Sequence, residues 1–144
     1  MNQIRPNLYI GNAPDACSAP LLADNKITAV FNVGLDCNDP WDCPGVLFVK
    51  IGLIDGPGNH QSQIRFALDV LDRLLMDGHR VMIHCVAGHS RAPYITARYL
   101  SRRENRNFKI TLAEVIRLRP GAENPNRLVA LYGTGWEGLP EPAQ

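Results

Sequence analysis

Long apolar runs are missing from this 144-residue chain: none approaches the roughly 20 residues that a membrane-spanning helix requires. Neither sign of charge dominates. Fifteen basic side chains stand against fourteen acidic ones, which removes the global field of a nucleic-acid or membrane-surface binder and leaves only local patches open. Paired cysteines are absent too. The four, at positions 17, 37, 43 and 85, form no C-x2-C pair, so neither a structural zinc site nor a dense disulfide framework is expected. There is no internal repeat, no charged-then-apolar leader pattern, and in residues 137–144 no prenylation box or polybasic run. The expectation is a soluble, cytoplasmic monomer with no nucleic-acid or membrane partner. It would fold as one domain over 1–144 with a frayed tail at about 137–144.

Against those absences stand short apolar segments near residues 8–10, 27–33, 46–51 and 80–84, which read as buried strands and alternate with helical patterns. An α/β unit follows. Ile64, Ala67, Leu68, Leu71, Leu74 and Leu75 recur at helical spacing and Gly78 offers a left-handed stop, predicting a helix over 60–77 whose apolar stripe is core. Thr111 with Glu114 reads as a capping box opening a short helix that Pro120-Gly121 ends. Asn124 and Pro125 read as the cap and first residue of the last helix.

The stretch richest in chemistry is His84-Cys85-Val86-Ala87-Gly88-His89-Ser90-Arg91. Its cysteine and arginine lie six positions apart, after a buried strand at Arg80 to Ile83 and before a helix at Tyr94 to Leu100. The glycine-containing turn between them points consecutive backbone N–H groups into one concavity at a helix N-terminus, a setting that suits a phosphate dianion. That N-terminus and the Arg91 charge also favour thiolate over thiol at Cys85. Features that bind an anion would therefore activate a nucleophile. By composition alone an H-C-x5-R arises in about one chain in a hundred, and its plain alternative is a strand-end cysteine, a satisfied core histidine and a solvated arginine.

The stretch resembles the signature of the cysteine-dependent protein tyrosine phosphatases, particularly their small dual-specificity branch. Ile4 to Ala16, Ile27 to Val33, Glu114 to Pro120 and Asn124 to Leu139 are similar, in that order, to the branch's opening strand and turn, next strand and closing helices. The resemblance implies an α/β fold with a central, mainly parallel mixed sheet flanked by helices. It also implies metal-independent, cofactor-free hydrolysis of phosphotyrosine and phosphoserine/phosphothreonine monoesters on a phosphorylated protein, through a cysteinyl-phosphate. Cys85 would then be the nucleophile and Arg91 the bidentate grip on phosphate oxygens, which lysine cannot reproduce. The amides of Val86, Ala87, Gly88, His89, Ser90 and Arg91 would bind the remaining charge, with His84 organising the loop. The departing oxygen needs a proton, and Asp55, in a glycine- and proline-rich turn 30 residues before Cys85, stands where the family's general acid stands. A solvated turn aspartate is the plain alternative there, and Asp36, Asp39 and Asp42 are lesser candidates for the acid.

Departures from the family pattern matter as much. The Asp55 segment carries no W-P-D triplet, and Ala92 follows Arg91 where most members place Ser or Thr, so slower breakdown of the intermediate is expected. The string H-C-V-A-G-x-x-R-A-P also resembles the phosphatases of regenerating liver, within the loop alone. Lysine is absent from the loop interior, which favours proteins over phosphoinositides, and no basic, aromatic-interleaved track points to RNA 5′ ends. A phospho-binding module without turnover is the alternative of a different class. His89 reads equally as a substrate contact or a solvated rim residue, and Asn32 as a support for the phosphate loop or a turn-former. Cys37 or Cys43 is either a partner able to resolve an oxidised Cys85 or an unrelated loop thiol. A metal site from Cys37, Asp39, Asp42 and Cys43 has little in its favour.

Overall fold

Alternation within the strands sets the architecture. In the computed structural model, which describes residues 1–40 and 42–135, Leu8, Ile10, Ala29, Phe31, Val33, Val81 and Ile83 join one buried cluster. Tyr9, Val30 and Met82, the intervening residues, join a second on the opposite face. Strands buried on both faces read as continuous apolar runs, which is why they were legible. The frayed tail expected at 137–144 and the end of the closing segment, Trp136 to Leu139, lie outside the described residues.

The strands are β1 (Asn2–Arg5), β2 (Leu8–Gly11), β3 (Ala29–Gly34), β4 (Leu47–Leu53) and β5 (Val81–His84), in sheet order β1-β2-β5-β3-β4. Only β1 runs antiparallel, so the sheet is mixed and mainly parallel, as expected. The helices are α1 (Ala13–Ala16), α2 (Ala19–Asp24), α3 (Gln61–Met76), α4 (Arg91–Arg103), α5 (Phe108–Leu118) and α6 (Asn126–Tyr132). Helix α3 buries the predicted Ile64, Ala67, Leu68, Leu71 and Leu74, and Gly78 takes the left-handed φ of 84° just beyond its end. The larger cluster lies under α3 to α6, and the smaller gathers Ala16 and Leu22 of α1 and α2.

Three expectations are corrected. Helix α4 starts at Arg91 and not Tyr94, because Pro93 falls within its first turn, where the missing N–H is no loss. Helix α5 starts at Phe108, capped by Asn107, whose side chain accepts from the N–H groups of Lys109 and Ile110. Thr111 and Glu114 therefore form no capping box: the Thr111 hydroxyl donates to Asn107 O at 2.9 Å, and Glu114 pairs with Arg5 at 2.5 Å. The last helix has Pro125 as its cap and begins at Asn126, one residue later than read. Strand β1 also appears before the first expected strand, and α1 and α2 between the first two.

One cross-strand row aims at the site. Lys50 of β4 pairs in register with Asn32 of β3, and Asn32 with His84 of β5. Three polar residues thus line up across three parallel strands at the edge where the 84–91 stretch leaves the sheet.

Candidate active site

Strand β5 ends at His84, α4 begins at Arg91, and the loop between them is held by its carbonyls. Cys85 O meets His84 Nδ1 at 2.9 Å, and Val86 O accepts from Ala13 N at 2.9 Å. Ala87 O and Gly88 O accept from Arg119 Nη2 and Nε at 3.1 and 3.4 Å. His89 O accepts from Glu123 N at 2.8 Å, and Ser90 O from Tyr94 N at 3.0 Å within α4. Every carbonyl from 85 to 90 is therefore bonded to a surrounding element. Across a trans peptide the next N–H points the opposite way, so the amides of residues 86–91 turn into the concavity. None of them has an acceptor among the described residues. Gly88 makes the close approach possible: its φ is 74°, and a Cβ there would lie 2.2 Å from Gly11 O.

Two side chains complete the cradle. Cys85 is buried, 3% exposed, in the main core cluster. Arg91 is also buried and donates Nη1 to Leu53 O at 2.8 Å and to Asp36 Oδ1 at 2.6 Å, while its Nε has no partner among the described residues. Burial opposes the Arg91 charge, yet the Asp36 hydrogen bond and the nearby Cys85, Asp36 and Asp55 raise its pKa above the ordinary arginine value. Unpaired inward amides plus a guanidinium N–H without an acceptor form a built anion site.

The structure separates the four aspartates. Asp55 lies exposed at the rim, where its Oδ1 accepts from the Ser90 hydroxyl at 2.9 Å. Its loop is stapled by Asn59, which exchanges hydrogen bonds with Ile54 N and O at 2.8 and 2.9 Å. Tyr132 of α6 adds a third tie, donating to Gly56 O at 2.7 Å. Asp39 is buried against His84 Nε2 at 2.8 Å, and Asp36 pairs with Arg91. Asp42 is exposed and has no partner among the described residues.

His84 thus bonds Cys85 O at the start of the loop and reaches Asp39 besides, with both ring nitrogens engaged. His89 is half-buried, its ring against Gly121. Of the two readings of Asn32, the turn-former is the one observed: it accepts from Gly34 N and donates to Cys37 O, both at 2.8 Å, so it holds the 34–37 turn. A Cβ built on Gly34 would lie 2.9 Å from Cys37 Sγ and 3.2 Å from Cys85 Cα, which puts Cys37 on the Cys85 side. Cys43 packs into the smaller cluster on the other face. Among the described residues no three His, Cys, Asp or Glu side chains converge as a metal site. Ala13, Arg119, Asn59 and Tyr132, which hold the two loops, were invisible from motif and spacing.

A family model described as the catalytic domain of dual specificity phosphatases matches residues 8–130. Rat dual specificity protein phosphatase 5 is 33% identical over 127 residues, which cover 86% of this chain and 32% of the relative. Human dual specificity protein phosphatase 22 is 29% identical over 127 residues, covering 88% and 67%. The chain thus spans about a third of the rat relative's length and about two thirds of the human one's. The crystal structure of human DUSP28 is similar in fold, with a TM-score of 0.80 at 23% identity, over 93% of this chain and 94% of that one.

Proposed function

This chain belongs to the dual specificity phosphatase catalytic-domain family, and from that premise we propose that it hydrolyses phosphotyrosine and phosphoserine/phosphothreonine monoesters on phosphorylated proteins, as a cytoplasmic monomer. One observation carries the reading: six inward amides, without acceptors among the described residues, surround Cys85 beside a guanidinium whose Nε has no partner among them either. The Cys85 sulfur attacks phosphorus in line, and the bond from phosphorus to the leaving oxygen breaks as Asp55 protonates that oxygen. Arg91 and the 86–91 amides bind the charge on the equatorial oxygens. Water, deprotonated by the Asp55 carboxylate, then attacks the cysteinyl-phosphate, and the S–P bond breaks to release inorganic phosphate. The near-equal numbers of basic and acidic side chains support a protein substrate over a nucleic acid. That Cys37 lies on the Cys85 side of Gly34, with Cys43 in the cluster on the other face, supports Cys37 over Cys43 as the thiol to resolve an oxidised Cys85.

The test is release of phosphate from phosphotyrosine and phosphothreonine peptides in excess chelator. Wild type is expected to turn over, and Arg91→Lys to lose on the order of 10² to 10³ in kcat/KM. An ammonium cannot bond Leu53 O and Asp36 and still present two parallel N–H groups to phosphate. A lysine variant within threefold of wild type would sink the assignment.

Ala92, fully buried in the first turn of α4, carries a second expectation. Without a hydroxyl there, the phosphoenzyme breaks down slowly, so stopped-flow release of an aryl alcohol shows a burst before the steady state. Ala92→Ser raises the steady rate about fivefold, the worth of one hydrogen bond of about 1 kcal/mol. No burst, with turnover unchanged by serine, would remove this expectation.

A further inference from the structure

Asp36 has a place in the site that the reaction as described does not use. Its carboxylate bonds Arg91 at 2.6 Å although its side chain is 64% exposed. A solvated surface aspartate gains little from such a pair and is free to leave it. Here the backbone holds it in place. Asn32 accepts from Gly34 N and donates to Cys37 O, while Lys50 Nζ donates to Leu35 O, Cys37 O and Asn38 Oδ1 at 3.2, 2.6 and 3.0 Å. At the far side of the same turn, Asp39 is fixed by His84. The residues doing this, Lys50, Asn32 and His84, are the register row across β4, β3 and β5. A polar row in an apolar sheet shapes one short turn, and that turn delivers one carboxylate to one guanidinium.

The consequence lies in which edge of Arg91 remains free. With Nη1 committed to Asp36 and Leu53 O, the planar fork has one edge left, Nε–H with Nη2–H, and Nε is buried without a partner among the described residues. Those two parallel donors are the geometry that grips two phosphate oxygens. We propose that Asp36 is a positioning residue for Arg91, holding the guanidinium so that its Nε–Nη2 edge meets the phosphate, and that Lys50 acts behind it by fixing the 35–38 turn. This rests on the phosphatase reading above and names a further part of its machinery. The Arg91 hydrogen bond holds the Asp36 carboxyl below the ordinary carboxylate range, and Arg91 and Lys50 are the charged groups facing it. With its pKa lowered, the contact persists above the usual carboxylate pKa and is lost only as pH falls through the lowered value. Asp36 therefore stays ionised from pH 5 to 8 and adds no inflection to the rate profile there.

The experiment compares wild type, Asp36→Ala, Asp36→Glu, Lys50→Met and the Ala/Met double variant. It uses aryl phosphates with good and poor leaving groups and, separately, calorimetric binding of inorganic phosphate. Asp36→Ala is expected to lose 10- to 100-fold in kcat/KM, equally for all leaving groups, and to bind phosphate more weakly. Its melting temperature changes little, since the Asp36 side chain is itself mostly exposed and Arg91 keeps its bond to Leu53 O. Asp36→Glu recovers much of the loss. Lys50→Met loses about tenfold, and the double variant is no worse than Asp36→Ala, because both act through Arg91. A loss that grows with leaving-group basicity would make Asp36 the acid, tighter phosphate binding would make it a competitor, and unchanged kinetics a bystander; each overturns the proposal. Phosphate binding is read without turnover. A wild type that binds phosphate but does not hydrolyse esters would thus defeat the phosphatase reading while leaving the Asp36 comparison intact.

Discussion

Cys85→Ser brings hydrolysis of an aryl phosphate in excess chelator, across pH 5 to 8, down by on the order of 10⁴ or more, to the level of buffer. The argument rests on what surrounds the sulfur. The sulfur is set beside Arg91 and the inward amides, which bind the phosphate it attacks. A serine hydroxyl is far less acidic and would need a base to take its proton. His84, the adjacent histidine, cannot serve: one ring nitrogen is spent on Cys85 O and the other on Asp39. The variant keeps its amides and Arg91, so phosphate should still bind while turnover disappears. Chelator-resistant activity in wild type that vanishes in the variant establishes cysteine-dependent chemistry. Equal, negligible rates in both, with phosphate still bound, would point to a phospho-binding module instead.

What the sequence made legible is local. The strand, the glycine turn and the helix around Cys85 follow from the three apolar residues Val81, Met82 and Ile83, from Gly88 and from the H-C-x5-R frame, and the α3 stripe follows from helical spacing. Legibility ends where a partner is distant along the chain. Arg119 holds Ala87 O and Gly88 O from more than thirty residues away, and Tyr132 reaches Gly56 O across 76. Neither carries a motif. Asp36, Asp39, Asp42 and Asp55 are likewise four acidic residues in two loops until their partners are known. Arg91, His84 and Ser90 then single out three of them. The misread cap at Thr111 has the same origin: T-x-x-E fits a capping box, but Asn107 bonds two amides earlier in the chain and so sets the start of α5. Short strand β1 was missed because a four-residue edge strand carries too little alternation to stand out.

Asp55→Asn is expected to lower turnover by on the order of 10² to 10⁴, with the loss set by the substrate. For a good leaving group such as a nitrophenolate, little proton transfer is needed and the loss sits at the small end. For phosphoserine or an unactivated aryl ester the departing oxygen is strongly basic, and the full factor appears. Asparagine can still accept from the Ser90 hydroxyl, and Asn59 and Tyr132 still staple the loop, so a collapse of geometry would not mimic the effect. Plotting the logarithm of the rate against leaving-group pKa therefore separates the two aspartates that face the pocket. The slope steepens for Asp55→Asn and stays parallel to wild type for Asp36→Ala. The reverse pattern would exchange their roles. Parallel lines for both would mean that neither protonates the leaving oxygen, leaving Asp42, which has no partner among the described residues, as the aspartate to test next.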